Sequence, residues 1–357
     1  MIYVHVPFCR SFCTYCDFYS ELACKGRDSH SYETYLSELL SETARRAAEI
    51  EAAADVRTLY FGGGTPSVLP LTILERIVSA FGGLSFEEFT IEVNPEDILE
   101  KGPEYLAGLK ALGVNRVSMG VQSLDDPMLR WMNRRHDAEG AHKAFLALRE
   151  AGFDNISLDV IFGISHLSEE TLSSTLREIL SWKPEHISAY QLSIEEGSAL
   201  AEMLESGRYR EAEENQCAAQ YELICRLLAE EGYDHYEISN WARPGFEARH
   251  NSAYWARVPY VGLGPGAHSF DGVRRSWNSQ NISSWESEYE YLSEEEAREE
   301  SIMLGLRTSK GVAEALCDAD AVEKLISESA IIRIGDAKIR IPENSFFISD
   351  SIIERLI

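Results

Sequence analysis

Residues 2–17 read IYVHVPFCRSFCTYCD: an apolar, β-branched run from Ile2 to Val6 opens at once into a loop carrying Cys9, Cys13 and Cys16. The C-x3-C-x2-C spacing crowds three thiols into one eight-residue segment. A 4Fe-4S cubane normally takes four thiolates, so three of them supply one wall of a site and leave one iron open to a substrate or cofactor. Zinc is the competing assignment, with His5 or Asp17 as fourth ligand, because thiolates also hold Zn2+ tetrahedrally. Structural zinc sites usually draw on two separated ligand pairs, and zinc would explain nothing downstream. Cys24 is a further candidate for a fourth ligand, whereas Cys217, Cys225 and Cys317 are scattered, as small buried hydrophobes are.

Outward from that loop, the chain to about residue 193 repeats one unit, a short β-branched or aromatic run followed by a longer amphipathic stretch. Parallel strands with helical crossovers produce this rhythm. Strands are expected at Ile2–Val6, Thr58–Phe61, Phe89–Val93, Arg116–Gly120, Ile156–Phe162 and His186–Leu192. Helices are expected at Tyr32–Ile50, Leu71–Phe81, Pro103–Leu112, Gly140–Ala151 and Glu169–Trp182, with Gly113 and Gly152 as C-terminal caps. Six β/α units make an α/β fold, either a partial barrel or an open doubly wound sheet. Both collect ligands at the C-terminal ends of the strands. Gly62, Gly63, Gly64, Thr65, Glu92, Asn94, Gln122 and Asp159 fall on that one rim.

After Ser193 the rhythm stops. A polar helical stretch from about Arg210 to Glu231 is followed by a Gly- and aromatic-rich segment from Tyr233 to Trp277. From Glu294 the chain reads as helices and then IRIGDAKIRIP, whose alternation around Gly335-Asp336 predicts a hairpin in a small winged-helix-like cap.

The chain has 357 residues and a formal charge of −26. That charge works against sequence-independent nucleic-acid binding, which requires Lys and Arg to neutralise phosphates, and against docking on anionic lipid. Seven cysteines, an odd number, with no signal-like segment and no apolar run of about 20 residues point to a reducing cytoplasm without disulfides. The acidic run Glu286, Glu288, Glu290, Glu294, Glu295, Glu296, Glu299 and Glu300, opposed locally by Arg298 alone, reads as a solvated helical face.

FGGGTPS, Phe61–Ser67, leaves its strand through three glycines, either a tight turn or a platform whose backbone can approach a ligand. Glu92 in FTIEVNP and Asp159 in ISLDVIFG interrupt apolar strands, where a carboxylate needs a partner or a ligand. Arg134 in NRRH is the obvious cation for their rim. Two carboxylates, Gln122 and one guanidinium suit a ribose and an amino-acid carboxylate. RHNSAYW, Arg249–Trp255, gathers His250, Asn251, Tyr254 and Trp255 in what reads as an irregular loop. His is a common axial ligand of heme iron, although a satisfied core histidine is the commoner role of a lone His.

C-x3-C-x2-C, GGGTPS, IEVNP, GVQS, NRRH and LDVIFG occur in the order and approximate spacing of radical S-adenosylmethionine (SAM) proteins of the coproporphyrinogen-oxidase-like branch, which the chain resembles over nearly its whole length. The resemblance implies a partial (β/α)6 barrel, residues 1–193, and the branch's C-terminal region, residues 194–357, with a heme-binding segment near 250–255 and a small cap from about 294. It implies that Cys9, Cys13 and Cys16 hold the cluster and that SAM chelates the open iron, to be cleaved after one-electron reduction. Tyr3, Tyr15, Gly63, Gly64, Thr65, Glu92, Gln122, Arg134, Asp159 and Ile161 would form the SAM shell, with Arg134 facing the carboxylate.

Within the branch, the heme-chaperone members resemble this chain more than the oxygen-independent coproporphyrinogen III oxidases do. The oxidases carry another cysteine where this chain has Phe18, and a long extension before the cluster loop. HNSAYW also fits the H-N-x-x-Y-W pattern associated with heme binding in the chaperones, which makes His250 the implied heme contact, with Asn251, Tyr254 and Trp255 beside it. After Phe162 the branch's Gly-Leu-Pro is replaced here by Gly163, Ile164 and Ser165. The implied partners are heme, heme-accepting proteins and an electron donor such as flavodoxin or ferredoxin, and a homodimer is left open. Decarboxylation of coproporphyrinogen III is the alternative activity.

Overall fold

The computed structural model describes residues 1–23, 28–53, 56–335 and 337–357. Cys24 and the turn residue Asp336, both singled out above, lie outside the described residues. All six expected strands are present: β1 (Ile2–Val6), β2 (Thr58–Gly63), β3 (Glu88–Val93), β4 (Arg116–Gln122), β5 (Ile156–Phe162) and β6 (His186–Gln191). They lie side by side in chain order and every neighbouring pair is parallel. A doubly wound sheet reverses its order at a switch point; this succession does not, which selects the partial (β/α)6 barrel.

Three more strands follow: β7 (Asp234–Glu237), β8 (Asn240–Ala242) and β9 (Val261–Leu263). β9 joins the open edge parallel to β1, and β8 joins the other edge antiparallel to β6, followed by β7. The parallel succession ends with β6 at Gln191, while the sheet itself continues into the later sequence at both edges. Residues beyond it also build two three-stranded antiparallel sheets, 268–270 with 274–278 and 287–291, and 312–313 with 338–340 and 332–334. The second contains the expected hairpin beside the helices Glu294–Leu306 and Ala319–Ser327.

Alternation along each strand divides the sheet into two chemistries. In β4, Val117, Met119 and Val121 face the crossover helices and are fully buried, whereas Arg116, Ser118, Gly120 and Gln122 face inward. Gly113 and Gly152 have φ of +95° and +82° just past their helices, as C-terminal caps require. The expected helix from Pro103 is the second half of a longer one, Pro95–Ala111, broken at Gly102, where φ is +71°.

Two expectations are corrected. RHNSAYW is a helix, Arg249–Trp255. The buried carboxylate of Glu88 accepts the backbone N–H groups of Arg249 and His250 at 2.8 and 2.9 Å, satisfying the donors that a helix start leaves free. The acidic run is also not opposed by Arg298 alone. Glu300 accepts from Arg257 at 2.7 Å and pairs with Arg275, and Glu296 closes a capping box with Ser293.

Candidate functional site

At the C-terminal ends of β1 to β6 lies a cavity of about 880 Å3. Cys9, Cys13 and Cys16 line it together with Tyr15, Gly63, Gly64, Thr65, Glu92, Gln122, Arg134, Asp159 and Ile161. Nine of the ten expected SAM residues therefore converge. Tyr3 does not line it: its hydroxyl is 3.2 Å from His5 Nδ1 and its ring is 6.0 Å from that of Tyr60.

The cysteine loop is held at its tip from elsewhere in the chain. Thr14 donates from N and Oγ1 to the carbonyls of Met132 and Trp131 at 3.1 and 2.8 Å. Asn133 Nδ2 donates to the Phe12 carbonyl at 2.7 Å, and Leu200 N to that of Thr14 at 2.9 Å. Cys9 Sγ sits 3.4 Å from Thr65 Oγ1. Burial pushes the Cys9 thiol up and that of Cys16 up to about 12; a bound iron cation reverses this by favouring the thiolate. Among the described residues no three His, Cys, Asp or Glu side chains, the three thiols included, stand close enough together for a single metal ion. Three thiols along one cavity wall, beside a space large enough for more than one group, fit a multi-iron cluster with a ligand next to it.

The glycine run has a structural reason besides ligand access. Gly63 has φ of +105°, and a Cβ there would overlap the His5 ring. At Gly64 it would come within 2.8 Å of the backbone of Val6 and Phe8. These glycines let β2 lie against the strand that launches the cysteine loop. Gly63 N also donates to Glu92 Oε2 at 3.1 Å, and Tyr60 OH donates to Oε1 at 2.7 Å. Burial raises the Glu92 carboxyl to about 7. Asp159, also raised by burial, accepts from Ser118 Oγ at 3.2 Å.

Arg134 spans the rim. It donates from Nη1 to Cys13 Sγ at 3.4 Å and from Nη2 to Asn94 Oδ1 and the Gly120 carbonyl at 2.5 and 2.7 Å. Its buried Nε has no partner, a donor left for an acidic group in the cavity. Gln122 follows a register shift in β4 and has φ of +66°.

The HNSAYW helix closes the opposite end of the barrel. His250 is 1% exposed, with Nδ1 2.9 Å from Thr58 Oγ1 and Nε2 3.1 Å from Tyr254 OH. Both ring nitrogens, and Tyr254 with them, are engaged inside the protein. Trp255 is half-buried, and of the four expected heme residues Asn251 lines the cavity. Sequence reasoning passed over Tyr60, Arg116, Ser118, Ser188 and Tyr190, which also line it. Their signal was the two-residue period of polar groups within strands, as in Ser157, Asp159 and His186, Ser188, which marks a polar barrel interior.

Residues 3–179 match the Radical SAM superfamily. The chain is 34% identical to the heme chaperone HemW of Bacillus subtilis, over 87% of this chain and 84% of that one. It is 31% identical to HemW of Mycobacterium tuberculosis H37Rv, over 100% and 94%. It is 32% identical to radical S-adenosyl methionine domain-containing protein 1, mitochondrial, of Danio rerio, over 87% and 73%. Among solved structures, coproporphyrinogen III oxidase (HemN) of Escherichia coli superposes with a TM-score of 0.80 at 20% identity, over 99% of this chain and 89% of that one. At that identity the likeness shows the fold.

Proposed function

Because the chain belongs to the HemW family of radical SAM proteins, we propose that it is a heme chaperone that binds heme, a 4Fe-4S cluster and SAM and hands heme to acceptor proteins such as respiratory enzymes. The observation that carries this reading is identity above 30% to curated HemW proteins over most of both chains. When bound, the cluster and SAM supply one-electron chemistry at the open iron corner. Around them, Cys9, Cys13 and Cys16 hold the iron. Arg134 orients the ligand's carboxylate with the guanidinium that also meets Cys13. Glu92, Gln122 and Asp159 would accept or share its hydroxyl and amino donors, and Ile161, also lining the cavity, would give its base an apolar contact.

The heme contact is assigned to the helix Arg249–Trp255. Ligation through His250 requires its ring to leave Thr58 and Tyr254. A one-electron donor of the flavodoxin or ferredoxin type would reduce the cluster. Cytoplasmic placement is supported by the need to keep these thiols reduced, and no helix among the described residues is long and apolar enough to cross a membrane.

The second reading, oxygen-independent coproporphyrinogen III oxidation, is the alternative activity implied by the motif resemblance; the likeness to HemN shows the shared fold alone. One experiment separates the two. Heme is titrated into anaerobically reconstituted protein, and the same material is assayed with reductant, SAM and coproporphyrinogen III. Heme binding without turnover is expected; sustained protoporphyrinogen formation would overturn the chaperone reading.

A further inference from the structure

Arg116 opens β4, is 2% exposed and lines the cavity. Its Nε has no hydrogen-bond partner. Among the described residues no side-chain hydrogen bond or close ion pair holds its guanidinium. A buried, unpaired charge costs several kcal/mol, so the site must offset it at longer range. Thr90 is the register partner of Arg116, and Glu92 that of Ser118. The arginine therefore starts one rung below Glu92, and Asp159 stands on the next strand, β5. Both carboxylates feel its charge. When both carboxyls are ionised, one cation facing two carboxylates leaves a local charge of about −1, which repels an added anion; in that state Arg116 is unsuited to bind an acidic ligand itself.

We propose that Arg116 is a positioning residue of the SAM site, whose charge favours the ionised forms of Glu92 and Asp159 as acceptors for the donor groups of the bound ligand. This rests on the cavity being the SAM site. The groups facing Glu92 are Tyr60 and the Gly63 N–H from β2, Arg116 from β4, Asp159 from β5, Tyr3 from β1 and Tyr190 from β6. Asp159 faces Ser118 and Arg116 from β4, Ser157 on its own strand, Ser188 and Tyr190 from β6, Glu92 from β3 and Tyr60 from β2. Burial drives the three tyrosines up, so they stay neutral. Arg116 is then the cation common to both acids; it lowers Glu92 less than Tyr60 and the Gly63 N–H do, and burial lifts that carboxyl to about 7 even with all three present.

The test is SAM affinity of cluster-loaded protein, measured by equilibrium dialysis from about pH 6 to about pH 9, for wild type, Arg116→Met and Arg116→Lys. Comparison with wild type cancels the titration of free SAM. In Arg116→Met, affinity at neutral pH is expected to fall about tenfold, and the midpoint of its pH dependence to rise by about one unit. Arg116→Lys should restore the midpoint, and in a Glu92→Gln background the shift should shrink. Iron content should be unchanged throughout. An Arg116→Met profile parallel to wild type, with affinity equal or uniformly lower at every pH, overturns the proposal. Failure of wild type to bind SAM overturns the site assignment instead. Should Arg116→Met not fold, Arg116→Gln carries the same comparison.

Discussion

Arg134 donates to Cys13 Sγ at 3.4 Å while its other terminal nitrogen holds Asn94, and Asn94 Nδ2 in turn donates to Thr65 Oγ1, 3.4 Å from Cys9 Sγ. A run of hydrogen bonds thus links two thiols of the cysteine loop through the residue proposed to meet the ligand's carboxylate. Arg134→Met should weaken SAM binding about ten- to hundredfold, the range for losing a charge-assisted bond, with iron content near wild type. Arg134→Lys should recover little, because a point charge cannot reproduce the fork. Calorimetric titration with SAM alongside an iron assay checks both.

Cys13→Ala removes one of three thiolates and should abolish the iron-sulfur chromophore. Unchanged iron per chain after anaerobic reconstitution would refute the ligand assignment.

Gly63→Ala places a methyl group on the His5 ring at a φ of +105°. Such strain costs on the order of 1–3 kcal/mol. Because β1 runs directly into the cysteine loop, the variant should incorporate less iron as well as melt earlier, read as iron per chain and thermal midpoint.

His250→Ala leaves Thr58 and Tyr254 without their partner and should destabilise the protein by about 2–4 kcal/mol. Burial lowers the His250 pKa to about 3 from 6.5. The unfolded chain therefore binds the proton first, and this contribution is full above pH 6.5 and fades on acidification toward pH 3. The stability gap to wild type should narrow over that window. Heme affinity, measured where the variant is folded, should fall at least about tenfold if the ring ligates iron; no change confines His250 to closing the barrel.

Glu237 is fully buried, its Oε1 is unpartnered, and burial raises its pKa from 4.5 to about 7. The folded state keeps a proton that the unfolded chain releases, so this group's contribution declines as pH rises from 4.5 to about 7. Glu237→Gln should be more stable than wild type above neutrality, by up to about 3 kcal/mol, with no gain below pH 4.5. Urea denaturation at alkaline and acidic pH tests the sign.

The cysteine spacing, the six strand-like runs and the rim residues Thr65, Glu92, Gln122, Arg134 and Asp159 were legible in the sequence, because local propensity and period are written residue by residue. Strand order was not, since β1 and β9 meet across more than half the chain. The helical state of RHNSAYW depends on Glu88, whose carboxylate caps a segment 161 residues away. Arg116 read as an ordinary strand residue and His250 as a heme contact until the barrel brought Glu92 and Asp159 above the first, and Thr58 and Tyr254 onto the second. Sequence by itself determined which elements form and which thiols and acids they carry; the tertiary structure alone decided which polar groups share the buried interior, because those partnerships are set by packing between segments distant in the chain.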